Sequence, residues 1–157
     1  MIAERAGLTK RTFFRYFPDK REVLFWGSQA LEELILTAMA AAPESAAPLE
    51  VVAAGLDAAA PMFEERREFA ARRQQIIAAN PELQERELIK AMSLAVAMAR
   101  ALRGRGLSDT AATLAAHTGI TIMHVAFEQW VDDPNQTPFQ QIARDALAQL
   151  REIASTG

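Results

Sequence analysis

The chain has 157 residues, half of them apolar, and a formal net charge of −3. It contains no cysteine, which excludes disulfides and thiolate zinc sites. No apolar run is long enough for a bilayer span, and no hydrophobic signal-peptide core stands near the start. We therefore expect a soluble, cytoplasmic protein with no membrane partner. The length fits one compact domain, or a small module joined to a larger one.

Charge is divided unevenly along the chain. Residues 1–22 hold six basic and three acidic side chains, a net charge of +3, which leaves −6 for the remaining 135 residues. A small basic head on an acidic body is typical of a protein whose head contacts nucleic acid while the body has another role.

The first helices predicted along the chain are short. Residues 1–6 indicate a helix that stops at Gly7, because glycine most readily adopts a left-handed cap. A second helix is predicted over about 10–16, with Thr9 as its N-cap, and a long third helix over about 19–42. Two short helices around a glycine break, the second rich in basic and aromatic residues, are typical of a helix-turn-helix that reads DNA.

The rest of the chain also predicts helices, because Ala, Leu, Glu, Arg and Gln dominate while Pro and Gly fall mostly between periodic segments. We expect a break near Pro61 and, because Leu88 to Leu102 is apolar almost all round, a central buried helix there. The predicted helices cover about 49–60, 63–79, 81–103, 108–132 and 137–154. The fold class is therefore all-α, a helix-turn-helix followed by a helical bundle.

The N-terminal run resembles the TetR family of bacterial repressors. Ile2-Ala-Glu-Arg-Ala-Gly7 and Leu8-Thr-Lys-Arg-Thr-Phe-Phe-Arg-Tyr-Phe-Pro-Asp-Lys-Arg-Glu-Val-Leu24 are similar to the family's second helix, turn, recognition helix and start of the fourth helix. The family has a further helix before this point, which is absent from this sequence because the chain is truncated, its start was mis-assigned or upstream residues are missing. Without it, we expect a head that is loosely held or covered by a neighbour. The resemblance implies a DNA-binding segment at 1–22 and a ligand-binding and dimerisation domain at 23–157, with 19–42 as the connecting helix.

The same resemblance implies which residues face a double-stranded DNA operator. Lys10 and Arg11 would reach guanine O6 and N7, and Phe14 could contact a thymine methyl group. The remaining candidates would bind phosphate, and these are Thr9, Thr12, Tyr16 and Lys20.

A second, weaker resemblance covers residues 72–88, which are similar to actinobacterial family members linked to acyl-CoA-like ligands. It implies a small-molecule effector, acyl-CoA-like or otherwise apolar. Candidate pocket residues are polar anchors and adaptable apolar side chains: Met62, Phe63, Phe69, Arg73, Met92, Met98, His117, Met123 and His124.

Each pocket candidate also has a plainer explanation. Arg73 and its neighbouring arginines fit a solvated helix face paired with glutamates, and the methionines fit an ordinary core. His117 and His124 lie seven residues apart, about 10.5 Å by helical rise, so they cannot easily share a metal ion. We expect neither a metal nor a cofactor.

The last two predicted helices show apolar residues on more than one face, which favours a core contact on one side and a partner subunit on the other. The family resemblance places the homodimer contact on these helices. The candidate interface residues are Ile120, Phe127, Trp130, Ala143, Leu147 and Leu150.

The sequence thus predicts a dimeric DNA-binding regulator, a repressor released from its operator by a small apolar ligand. The alternative is a ligand-binding and dimerisation protein that cannot bind DNA with an incomplete head. An enzyme is not expected, because the sequence shows no nucleophile elbow, glycine-rich phosphate loop or metal-ligand cluster.

Overall fold

A computed structural model describes residues 27–156 of the chain. These residues form six α-helices and, within that range, no strand. The helices are α1 (Ser28–Ala41), α2 (Pro48–Glu65), α3 (Arg67–Ala78), α4 (Pro81–Gly104), α5 (Asp109–Val131) and α6 (Phe139–Thr156). The all-α prediction is confirmed.

Local signals set most of these boundaries. Pro48 and Pro81 each open a helix at its first turn, where the missing N–H costs nothing. The Ser108 hydroxyl accepts a hydrogen bond of 3.2 Å from the Ala111 N–H and caps α5. Gly106, with φ of +100°, lies just beyond the end of α4 in the left-handed conformation that favours glycine.

The helices pack in two layers. α1 and α2 form a hairpin, α4 and α5 form a second one, α1 packs against α4, and α2 packs against α5. α6 lies against α5 and α2, while α3 bridges α2 and α4. Between the layers lie fully buried side chains from each hairpin, among them Ile35, Met39, Val52, Met98 and Leu102.

One glycine allows the two layers to approach closely. A Cβ on Gly119 of α5 would lie 2.5 Å from Val52 Cγ1 of α2 and 3.0 Å from Met98 Cε of α4. Any side chain here would overlap the packed core, so the close contact of α5 with α2 requires glycine.

Three expectations about the helices were wrong. α2 continues through Pro61 to Glu65, and the break falls at Arg66, with φ of −126° and ψ of 37°. A proline removes one backbone hydrogen bond, and here the buried Ala59 and Ala60 hold the surrounding turns in place. The predicted third helix is also not continuous at Gly27, which has φ of +96° and lies just before α1; its residues 19–26 lie outside the described range.

The third correction concerns the Leu88 to Leu102 segment. It is buried on one face only, and Leu88, Ile89, Met92 and Val96 are 50–66% exposed. Its outer face lies away from α1 and α5, and no other described element covers it.

Among the described residues, no helix combines the length and apolar character needed to cross a membrane.

Candidate effector site

The DNA-reading candidates lie outside the residues that the structure describes. They are Thr9, Lys10, Arg11, Thr12, Phe14, Tyr16 and Lys20. The described helices form the body of the protein, and the candidate site that they contain is that of an effector.

An aromatic cluster joins α2, α5 and α6. The Phe63 ring centroid lies 5.5 Å from that of Phe127 and 4.9 Å from that of Phe139, both edge-on. Trp130 is 6.0 Å from Phe139, also edge-on. Trp130 and Phe139 are fully buried, whereas Phe63 and Phe127 are partly exposed. The cluster thus has a closed inner half and an outer half that a small molecule can reach.

Glu64, next to this cluster, caps α6 from another helix. Its Oε1 accepts hydrogen bonds from the Trp130 indole N–H at 2.9 Å and from the backbone N–H of Phe139 at 2.7 Å. Phe139 is the first residue of α6, so its N–H has no partner within the helix. A carboxylate at this position also interacts favourably with the positive end of the helix dipole.

Arg67 caps the other side of this junction, because it binds carbonyl oxygens at the C-terminal end of α5 and in the loop that follows. Its guanidinium donates to the carbonyl oxygens of Trp130 at 3.2 Å and Thr137 at 3.3 Å, and lies 4.8 Å from the centroid of the Trp130 ring. It also lies 3.9 Å from the Glu64 carboxylate. Glu64 and Arg67, one on each side of the break at Arg66, therefore hold the α5–α6 junction to the α2–α3 junction.

α3 is held to α4 by a bidentate ion pair. Arg73 donates to both carboxylate oxygens of Glu87, at 2.8 and 2.9 Å. Arg73 lies on the same side of α3 as the buried Ala70 and Ile77, so the pair faces inward between the two helices. The other end of α3 has only Arg66 between it and α2. α3 is thus a short helix held by Arg67 at its first residue and by the Arg73–Glu87 pair near its middle.

Two further ion pairs fix α6 on α2. Arg144 hydrogen-bonds to Asp57, which raises the pKa of the guanidinium above its already high ordinary value. Arg151 donates to Glu50 at 2.6 Å and holds the pKa of that carboxyl below its ordinary value. Both pairs are exposed, so they set the position of α6 more than they stabilise it.

The structure brings together some of the predicted pocket residues. Phe63 and Met123 contact both main apolar clusters of the core, and Met98 lies fully buried between the layers. Met62 lies near the start of α1, since its Cε would be 3.0 Å from a Cβ placed on Gly27. Phe63, Met98 and Met123 therefore share the inner side of the bundle, and Met62 lies apart from them.

The other pocket candidates do not converge with them. Met92 is 55% exposed on the outer face of α4, and Phe69 is 38% exposed on α3. His117 and His124 are exposed on α5, with the His124 Nε2 3.2 Å from a Glu128 oxygen. Helical phase explains the difference, because these positions fall on the sides of their helices that the core does not cover.

Neither of two hollows among the described residues is a ready-made effector pocket. The one between α2, α5 and α6 measures only about 10 Å³, room for a single water molecule. A hollow of about 510 Å³ on α4 is open to solvent and lined mainly by charged side chains, namely Glu82, Glu85, Arg86 and Lys90, with Ile89. An effector in the body would therefore displace side chains as it binds.

Half of the predicted interface residues are core residues of their own subunit. Trp130, Ala143 and Leu147 are at most 5% exposed, while Ile120, Phe127 and Leu150 are partly exposed. Trp130, Ala143 and Leu147 pack in one cluster with α2, so in this conformation they cannot meet a second copy.

Sequence reasoning missed Glu64, Arg67 and Glu87 as residues with specific partners. Glu64 and Phe139 are 75 positions apart, and only the fold brings them together. The single sequence signal was the dense run of charge around Arg66, which we interpreted as a solvated face.

Comparison with protein families agrees with the geometry. Residues 1–25 match the model of the N-terminal segment of bacterial regulatory proteins of the tetR family. Residues 46–154, more than half of the chain, match the MftR C-terminal domain. No individual curated protein matches the chain. The chain therefore belongs to the TetR family, the DNA-binding transcriptional regulators that carry a ligand-binding C-terminal domain and have no enzymatic activity.

Proposed function

We propose that the chain acts as a homodimeric repressor that leaves its operator when an apolar effector binds the body. The observation that carries this proposal is the break at Arg66 beside the outer half of the aromatic cluster. Phe63 lies one helical turn before this break, and α3 begins directly after it at Arg67, so a molecule that displaces Phe63 acts on the backbone next to the start of α3. Repression is relieved only if the effector binds the DNA-incompetent state better.

The effector site that we propose lies between the C-terminal half of α2 and α5, with Phe63, Met123 and Phe127 as its lining. Half-buried aromatic and methionine side chains adapt to the shape of an apolar molecule at low cost. Arg73, paired with Glu87 at the inner side of α3, is the cation that we propose for a negatively charged head group, which would replace the Glu87 carboxylate as its partner. An acyl-CoA-like molecule combines both chemistries.

The DNA-reading residues that we propose lie on the second predicted helix, at its N-cap and at the start of the third. Lys10 and Arg11 read base edges, Phe14 contacts a thymine methyl group, and Thr9, Thr12, Tyr16 and Lys20 bind phosphate. A base-reading pair contributes about 1–3 kcal/mol of discrimination, whereas phosphate contacts set affinity and its salt dependence.

Electrophoretic mobility shift with the intergenic DNA upstream of the gene tests the DNA proposal. Arg11→Ala should weaken binding to this DNA by about tenfold or more while leaving the weak binding to random DNA nearly unchanged. Lys20→Ala should weaken both and reduce the salt dependence. Equal loss for both variants on both DNAs would contradict the assignment of Arg11 to base reading. No binding by the wild-type chain would favour the alternative, a ligand-binding and dimerisation protein.

Titration with palmitoyl-CoA and with free palmitate tests the effector proposal. We expect one of them to release the DNA, and Phe63→Leu to raise the concentration required by about tenfold without changing DNA affinity in its absence. Leu114→Ala, at a 64% exposed position on α5, is the control and should behave like wild type. Saturating binding that leaves DNA affinity unchanged would rule out that molecule as the inducer.

A further inference from the structure

A continuous apolar surface lies on the outer side of α4, from Leu88 to Val96. Leu88 is 66% exposed, Ile89 58%, Met92 55% and Val96 50%. Their spacing places them along one side of the helix over about two turns, or about 12 Å. Exposed apolar side chains that are contiguous in this way mark interaction surfaces, whereas single ones do not. We call these four residues the α4 surface.

α4 runs in the same direction as α1, which fixes what lies near this surface. Arg105, the residue after α4, donates to the carbonyl oxygens of Met39 at 3.3 Å and Ala42 at 3.1 Å, so the two helices end side by side. Counted back from these ends along the helix axes, Gly27 lies about 22 Å from Ala42, and Met92 lies about 20 Å from Arg105. Because α1 packs against α4, the chain enters the body at the level of Met92.

A contact at the start of α1 agrees with this placement. The Cε of Met62 would lie 3.0 Å from a Cβ placed on Gly27, and Met62 is near the end of α2. α3 begins directly after that end, and its Arg73 pairs with Glu87 of α4, next to Leu88. Gly27 therefore lies at the end of the body where α3 and α4 begin.

The chain before Gly27 is rich in side chains that gain from such a surface. Residues 1–26 lie outside the described range, and they hold four of the eight phenylalanines and one of the two tryptophans. Val23-Leu-Phe-Trp26 is a run of four apolar residues directly before Gly27. Aromatic side chains bury more apolar area than most others, so they gain most from a contact of this kind.

Residues 1–26 can reach the α4 surface and have an advantage there over a separate molecule. An α-helix is about 10–12 Å across with its side chains, a distance that about four extended residues span. Because the segment is joined to the body at Gly27, its effective concentration at the surface is on the order of millimolar. The charges also agree, since residues 1–22 carry a net charge of +3 while residues 81–90 hold three acidic and two basic side chains.

We propose that residues 1–26 cover the α4 surface of their own chain, with the aromatic side chains of this segment against Leu88, Ile89 and Met92. The docking requires neither DNA nor effector. It also sets the position of the DNA-reading residues relative to α4, a consequence that rests on the proposed function.

Limited trypsin digestion of the full chain measures how well the segment is protected. The cleavable bonds follow Arg5, Lys10, Arg11, Arg15, Lys20 and Arg21. Met92→Glu and Leu88→Glu should each speed cleavage at these bonds at least tenfold, with unchanged helix content by circular dichroism because both positions are exposed. Leu114→Glu is the matched control and should be cleaved like wild type, because Leu114 is 64% exposed near the start of α5, at the opposite end of the body from Gly27. Equal cleavage rates in wild type and both α4 variants would overturn the proposal.

Photocrosslinking identifies what lies on the α4 surface. The chain has no cysteine, so Ser93→Cys, at an exposed position beside Met92, takes a benzophenone maleimide and keeps all four apolar side chains. We expect mass spectrometry to find its crosslinks within residues 1–26, and Thr110→Cys, at the exposed start of α5, to give none there.

An excess of isotope-labelled, cysteine-free chain in the same sample distinguishes the possible occupants, because a crosslink to a second copy then carries the label. Labelled crosslinks, or none within residues 1–26, would show that this segment of the same chain does not cover the surface. Both experiments use the chain without DNA or effector, so a negative result would leave the repressor function standing.

Discussion

Substitution of Glu64 tests whether its side chain, which caps α6 from the end of α2, stabilises the helical body. Glu64→Ala leaves the indole N–H of Trp130 and the backbone N–H of Phe139 without their acceptor, and both residues are fully buried. An unsatisfied buried donor costs about 1–3 kcal/mol, so the two together should lower the free energy of unfolding by about 2–6 kcal/mol. In a domain of this size that corresponds to a fall in Tm of roughly 4–24 °C.

Thermal and urea unfolding followed by circular dichroism measure this loss. Glu64→Gln keeps an oxygen acceptor but removes the charge, so we expect it to lose only about 1 kcal/mol. Glu65→Ala, at the neighbouring exposed position, is the control and should stay within about 0.5 kcal/mol of wild type. If Glu64→Ala were as stable as Glu65→Ala, the two hydrogen bonds would not carry the energy assigned to them.

Three further substitutions test other parts of the fold by the same unfolding measurements. Arg105→Ala should cost about 1–3 kcal/mol, because its guanidinium donates to carbonyl oxygens at the end of α1, and Arg105→Lys should recover only part. Gly119→Ala should cost about 1–3 kcal/mol through overlap with Val52, and a stabilised variant would contradict the close packing. Asp133→Asn should destabilise at pH 7 but not near pH 2, since hydrogen bonds led by that from Thr137 hold the pKa of the carboxyl below its ordinary value. The carboxylate contributes its full stabilisation at pH values above its pKa in the unfolded chain, and this contribution disappears as the pH falls through its lower pKa in the folded protein. If Asp133→Asn lost the same free energy of unfolding at both pH values, the ionised carboxylate would not be the source of the stabilisation.

The sequence predicted what depends on neighbouring residues. Pro81 and Ser108 open helices where the predicted helices over 81–103 and 108–132 begin, because each acts on backbone groups within one turn. The all-helical fold follows from the same local preferences. The N-terminal motif identified the family through a short run of residues, and the family match agrees with it.

Tertiary structure decided what depends on distant residues. α2 continues through Pro61 because the packing of the turn before it, at the buried Ala59 and Ala60, outweighs the lost hydrogen bond. Leu88 and Met92 are exposed because no described helix covers that side of α4, although the residues themselves are as apolar as those of the core. Glu64 caps α6 because the α2–α3 and α5–α6 junctions meet in space. Composition and periodicity determine which side chains can be buried, but only the arrangement of the helices determines which of them find a neighbour.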